Sequence, residues 1–229
     1  MRKLVFLVAL GMLSPSLSIA GEVNDRVVRG AVVLREIHGA ADKSIPKDLL
    51  DKSVCVAVIP GMKKGGFIFG ANYGRGLMSC RTNNGDGPWS APSMLALEGG
   101  SFGLQIGAQS VDLVLVIMNL SGLESLLDSK FTLGGDASVA AGPVGRTAAA
   151  ETDAWMSAKI LAYARASGLF AGLIVKGGTI RPDKKANQEL YGKSLEPRSI
   201  LLYQTDTVPK DAKIFLDELT RISPTRAGK

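Results

Sequence analysis

The sequence predicts an α+β fold: a strongly curved, Gly-rich antiparallel β-sheet, barrel- or sandwich-like, with an N-terminal amphipathic helix and a few peripheral helices. Three observations carry this. Short apolar runs bounded by turn residues fill the segment from Val54 to Met118. The 27 glycines recur within those runs rather than in linkers. Helical periodicity is confined to the two ends and to brief stretches between strands.

Residues 1–20 read as a secretory signal peptide and are set apart from the fold. Arg2 and Lys3 precede an apolar run, Leu4 to Leu13, too short to span a bilayer. Ser18-Ile19-Ala20 supplies the small residues of a cleavage site, followed by Gly21. The chain is therefore expected to be exported and to work in the periplasm or outside the cell, peripheral to a membrane. Losing Arg2 and Lys3 takes the formal charge from +6 to +4. That mildly basic balance suits anionic surfaces and falls short of a nucleic-acid-binding charge.

Residues 21–223 read as one domain. Helix 22–41 opens it, with Val23, Val27, Ala31, Leu34 and His38 along one face and Arg26, Arg29, Arg35 and Glu36 elsewhere around it. Such a helix either docks on the core or lies in a membrane interface. Pro46 opens a short turn of helix. Val54 to Ile59 is a strand closed by Pro60-Gly61, and Lys63-Lys64 falls between two glycine-bearing pairs as a tight turn. Gly66 to Tyr73 and Gly76 to Arg81 follow as strands, then the turn cluster Asn83 to Pro88.

Ser93 to Leu97, Ser101 to Ala108 and Val111 to Met118 continue the sheet. Ser121 with Glu124 reads as a capping box for a helix to about Ser129. Residues 148–167 fit helix by their alanines and strand by their later alternation, with a strand from Ala158 leading into a hairpin through Phe170 to Ile180. Pro182 starts a helix ending at Tyr191-Gly192. Ser199 to Gln204 reads as a last strand, Pro209 to Ile222 as a closing helix, and 224–229 as a frayed tail.

Glycines four apart, at 66, 70 and 74 and again at 99, 103 and 107, leave columns without side chains on one strand face. Such positions bend a sheet or admit a close neighbour.

Catalytic patterns are missing from the sequence. It holds one histidine, His38, and lacks a Gly-x-Ser-x-Gly elbow, a Walker loop and zinc-type spacing. The expectation is a non-enzymatic protein without metal or cofactor. An enzyme of unrecognised type would need a pocket around Asp112, Asp136 or Arg146. Cys55 and Cys80 are an even count in an exported chain, which suggests a bridge; the alternative is two buried thiols.

Gly65-Gly66-Phe67, Gly74-Arg75-Gly76, Arg81, Trp89-Ser90-Ala91-Pro92-Ser93, Gly103-x-Gln105-x-Gly107 and Leu133-Gly134-Gly135-Asp136 occur in order. Ala140-Ala141-Gly142-Pro143-x-Gly145-Arg146, Tyr163 to Gly172 and Asn187-x-x-x-Tyr191 follow. Together they resemble the SYLF domain, the actin-regulator domain of yeast endocytic proteins, from about Ile45 to the C-terminal helix. The resemblance implies binding of phospholipid through a basic surface and an amphipathic N-terminal helix. Here that maps onto Arg26, Arg29 and Arg35, with Lys63 and Lys64 in their turn forming an anion nest. An exported chain meets no actin, so an anionic lipid surface of the cell envelope is the expected partner. A scaffold for a protein or cell-wall partner is the other reading.

Overall fold

The computed structural model describes residues 18–39, 44–66, 69–102, 107–127, 131–133, 139–145, 158–166, 169–172, 178–203 and 208–225. Most of the expected signal peptide, the middle of strand 101–108 and residues 148–157 lie outside these.

Helix α1 spans Ser18–Gly39 and α2 Lys47–Lys52. Strands β1 (Cys55–Gly66), β2 (Phe69–Cys80), β3 (Ser93–Phe102) and β4 (Gly107–Ile117) follow. Helix α3 (Leu120–Leu127), β5 (Phe131–Thr132), β6 (Val139–Ala141), β7 (Ile160–Ala166), β8 (Leu169–Gly172) and β9 (Thr179–Pro182) come next. Helices α4 (Lys184–Tyr191), α5 (Pro197–Leu202) and α6 (Lys213–Ile222) close the chain.

The strands form one curled sheet, a half-barrel, in the order β5-β9-β3-β2-β1-β4-β7-β6, with β8 on β7. Among the described residues every pairing is antiparallel except β6 with β7, so the sheet is mixed. Both faces are covered. Val56, Val58, Leu77, Val114, Leu161 and Tyr163 pack beneath α1, α2 and α6. The alternate residues Cys55, Ala57, Ile59, Met78, Leu95 and Leu115 pack with α3 and α5 on the other side. A strand buried on both faces has no polar side to show, which is why Val54 to Ile59 is an unbroken apolar run.

Several expectations change. Pro60-Gly61 does not end the first strand; it is a β-bulge inside β1, where the register slips against both β2 and β4. Gly61 takes φ +60° there, a conformation glycine adopts without strain, and its N–H donates to Asp112 Oδ1 at 2.8 Å. Proline is tolerated at a bulge because the ladder is already interrupted. Ser199 to Leu202, expected in a last strand that ran to Gln204, is helix; Gln204 lies outside the described residues. Pro197 sits in the first turn of α5, where its missing N–H costs nothing, so the helix starts there. The cap of α3 is Asn119, whose Oδ1 accepts from Gly122 N at 2.9 Å, and not Ser121. Glu124 instead pairs with Arg198 of α5, which holds its carboxyl below the usual range.

The glycine column of β2 lies opposite the bulge. A Cβ on Gly76 would stand 2.2 Å from the Val58 carbonyl oxygen and 2.7 Å from Ile59 Cγ1. A backbone carbonyl cannot rotate away as a side chain does. Gly76→Ala should therefore cost about 1–3 kcal/mol, read from urea denaturation. A variant as stable as the parent would contradict the close approach.

The two cysteines are register partners in β1 and β2, with Cα atoms 4.0 Å apart and the sulfurs bridged. Arg81 N donates to Val54 O at 2.7 Å next to them, leaving the cysteines as a pair without mutual backbone hydrogen bonds. That is where antiparallel strands come closest.

Candidate functional site

Asp183 is the centre of the best-formed polar site. It follows β9 and caps α4, its Oδ1 accepting from Ala186 N at 3.2 Å. Its Oδ2 takes two guanidinium groups: Arg75 Nη1 from β2, and Arg26 Nη1 from α1 at 3.4 Å. Arg75 Nε donates to the Tyr73 hydroxyl at 2.6 Å. Asn187 Oδ1 accepts from Met94 N at 2.7 Å and fixes α4 to β3. Three elements distant in sequence thus meet on one carboxylate.

Burial lowers the Arg26 pKa from its ordinary value while Asp183 opposes the shift. Arg75 is moved up, first by its bond to Tyr73. Both remain cationic. A cavity of about 290 Å³ opens above them, lined also by Glu22, Lys185 and Glu189.

The residues expected to face lipid are distributed differently from the sequence reading. Arg26 is 3% exposed and belongs to the Asp183 cluster, so it is withdrawn from the surface. Arg29 is exposed, and Arg35 is largely exposed beside Glu218 at 3.6 Å. Lys63 and Lys64 do not form a tight turn. They lie in β1 beyond the bulge, paired with Tyr73 and Asn72 of β2. Successive strand residues point to opposite faces, so the two lysines are split. Lys63 Nζ donates to Ser110 Oγ at 3.2 Å. Ser110 shares its sheet face with Asp112, which pairs with Arg165, which in turn pairs with Glu36 of α1. Lys63 is therefore on the α1 side and Lys64 on the other.

The outward face of α1 has an unusual apex. Val28 and Val32, four residues apart, are 45% and 40% exposed, with Arg29 and Arg35 beside them. Among the described residues no helix is long and apolar enough to cross a membrane. Also among them, no cluster of three His, Cys, Asp or Glu could hold a metal. Asp112 is engaged with Arg165 at 2.6 Å and with the bulge. Asp136, Arg146 and the His38 side chain lie outside the described residues.

The sequence reading missed Asp183, Tyr73, Lys185 and Glu189 as site residues. Asp183 after Pro182 had the form of a helix cap, and Gly74-Arg75-Gly76 was visible as a motif. Nothing local tied either to α1.

This arrangement defines a class: a curled-sheet α+β domain with paired charges beside a cavity and a helix carrying two outward valines. Comparison with known proteins then identifies the family. The family model described as Las17-binding protein actin regulator, Ysc84, matches residues 98–222. LAS seventeen-binding protein 3 of Saccharomyces cerevisiae is 34% identical over 205 residues, 88% of this chain and 43% of that protein. SH3 domain-containing YSC84-like protein 1 of Homo sapiens is 30% identical over 193 residues, 82% of this chain and 56% of that one. The chain belongs to the Ysc84, or SYLF-domain, family. It spans about half the length of these curated relatives.

Proposed function

We propose that this protein is a non-enzymatic module that docks on anionic phospholipid surfaces of a bacterial cell envelope after export. The observation that carries the reading is the outer face of α1. Val28 and Val32 form its apex between Arg29 and Arg35, and Lys63 lies on the same side of the sheet. Apolar side chains that enter the headgroup boundary, flanked by cations, are the ordinary means of peripheral attachment. Each exposed cation near an anionic bilayer contributes about 1 kcal/mol. Arg26 and Lys64 have no part in this version of the surface. Family membership supports it, and the leader-like residues Met1 to Ala20 support the envelope setting.

The processed protein should co-sediment with phosphatidylglycerol-containing vesicles, less so as salt rises. Arg29→Glu with Lys63→Glu should weaken that binding by about tenfold or more at unchanged melting temperature. Binding unaltered in the double variant would count against the surface named here. A second reading, a scaffold for a protein partner, is favoured by the name of the yeast relative LAS seventeen-binding protein 3. It predicts no dependence on vesicle charge.

A further inference from the structure

The two outward valines of α1 do not stand alone, because α6 lies alongside them. A Cβ on Gly30 would stand 3.3 Å from the Phe215 ring, and further along α1 Arg35 Nε meets Glu218 Oε2 at 3.6 Å. Both contacts advance together, so the two helices run in the same direction. Val28, Val32 and Arg35 are spaced i, i+4, i+7 on α1, and Ile214, Glu218 and Arg221 have the same spacing on α6. Residues at that spacing share one face of a helix. The contact of Arg35 with Glu218 brings these two stripes edge to edge. Ile214, one turn before Glu218, is then level with Val28 and Val32.

Ile214 is 41% exposed, as open as the two valines. Aliphatic side chains exposed singly need no explanation, but three from two helices at one seam are a patch. The seam becomes cationic towards its C-terminal end. Glu218 is buried and holds an arginine on each oxygen: Arg35 on Oε2, and Arg221 on Oε1, with Nε at 3.0 Å. Both arginines are largely open to solvent. One carboxylate thus sets two guanidinium groups side by side, and five N–H groups on each leave donors to spare. Acidic neighbours lie off the seam or are compensated. Asp217 is turned about 100° round α6 from Glu218. Glu36 is paired with Arg165, and Asp25 stands four residues before Arg29, at the spacing where opposite charges compensate.

Three aliphatic side chains are little beside the roughly 800 Å² that each partner contributes to a standard protein interface. A bilayer asks for less, because a shallow apolar insertion with cations at the headgroups suffices. Paired guanidinium forks suit phosphate oxygens.

We propose that the membrane-facing surface is this two-helix seam: Ile214 of α6 enters the headgroup boundary with Val28 and Val32, and Arg35 and Arg221 together take lipid phosphate. The inference rests on the docking reading above and adds α6 to it.

The test uses the full processed protein as three variants, Val28→Cys, Ile214→Cys and Tyr203→Cys, each labelled with the fluorophore NBD. The native cysteines are bridged and buried, so the introduced thiol alone reacts. Tyr203 is exposed at the end of α5, on the other side of the sheet, and serves as the control. With phosphatidylglycerol vesicles the labels at 28 and 214 should brighten and be quenched by brominated acyl chains. The label at 203 should do neither. Arg221→Gln should weaken binding to the same vesicles about fivefold. Glu218 keeps Arg35 in that variant, so the melting temperature should hold.

A label that enters lipid at 28 and stays in water at 214 overturns the seam and leaves the single-helix surface standing. Vesicle binding with both labels in water overturns both. A protein that binds no vesicles fails the docking reading and this inference with it. A label at 214 already shielded without lipid, in a protein that runs as a dimer, gives the seam to a second copy and overturns the proposal. Binding unchanged by Arg221→Gln overturns the arginine pair as a phosphate site.

Discussion

Replacing Arg81 by methionine should lower the stability of this protein by about 3–5 kcal/mol, a large part of the 5–15 kcal/mol typical of a folded domain. Arg81 is 1% exposed at the end of β2, and its guanidinium lies 4.2 Å from the centroid of the Trp89 ring. Nη2 donates to Ser223 Oγ at 2.6 Å and to the Ser223 carbonyl at 3.0 Å. Trp89 Nε1 donates to that carbonyl as well, at 3.0 Å, and Ser223 Oγ donates to Asp51 Oδ1 at 3.0 Å.

This one side chain therefore ties the end of α6 to the sheet and to α2. Methionine supplies no donor, so the Ser223 carbonyl and hydroxyl each lose a charge-assisted bond, keeping only those with Trp89 and Asp51, and the cation–ring contact is lost. For a chain of this size the melting temperature should fall by about 10 °C. Arg81→Lys should recover only part, since a single ammonium cannot reproduce the planar fork. A change below about 1 kcal/mol for the methionine variant would mean that α6 is held by its apolar contacts alone.

The double replacement Cys55→Ala, Cys80→Ala should cost about 3 kcal/mol, from the loop-closure entropy of a 25-residue separation. Both cysteines are fully buried, at 0% exposure. Reductant should therefore reach the bridge only through large opening of the sheet, and reduction of the native protein should be slow and accelerate with urea. The check is the urea midpoint of the alanine variant against the oxidised parent. Coincident midpoints would mean that the bridge closes a loop the sheet already orders. A stabilising bridge fits the oxidising compartment proposed for the chain.

The local signals in this sequence read well because they act over a few residues. The helix expected from Pro182 to Tyr191-Gly192 is α4, with Asp183 as its cap and Gly192 as its stop. Phe215, Leu219 and Ile222 recur at helical spacing and are buried in α6. The hairpin of β7 and β8 and the pairing of Cys55 with Cys80 follow from strand runs and an even cysteine count, although Ile180, expected in the same strand as Phe170, belongs to β9 beside β3. Errors arose where one local pattern serves two structures. Ser199 to Leu202 has strand-like composition, yet proline at the first turn made it helix. Pro60-Gly61 reads as a stop and acts as a bulge, because Asp112 from another strand takes the free N–H.

Family motifs, the strand and helix periods and the covalent bridge are properties of neighbouring residues or of ordered motifs, so one dimension suffices to see them. Which charges reach solvent is not of that kind. Arg26, Arg29 and Arg35 are one residue type on one helix, but Arg26 is buried against a carboxylate 157 positions away, whereas Arg35 stays exposed beside Glu218. Lys63 and Lys64 are adjacent in the chain and end on opposite faces, because β1 continues past its bulge and the strand alternates. Long-range pairing and strand parity, settled when the sheet closes over α1, chose the surface charges and brought Arg26, Arg75 and Glu189 to one cavity.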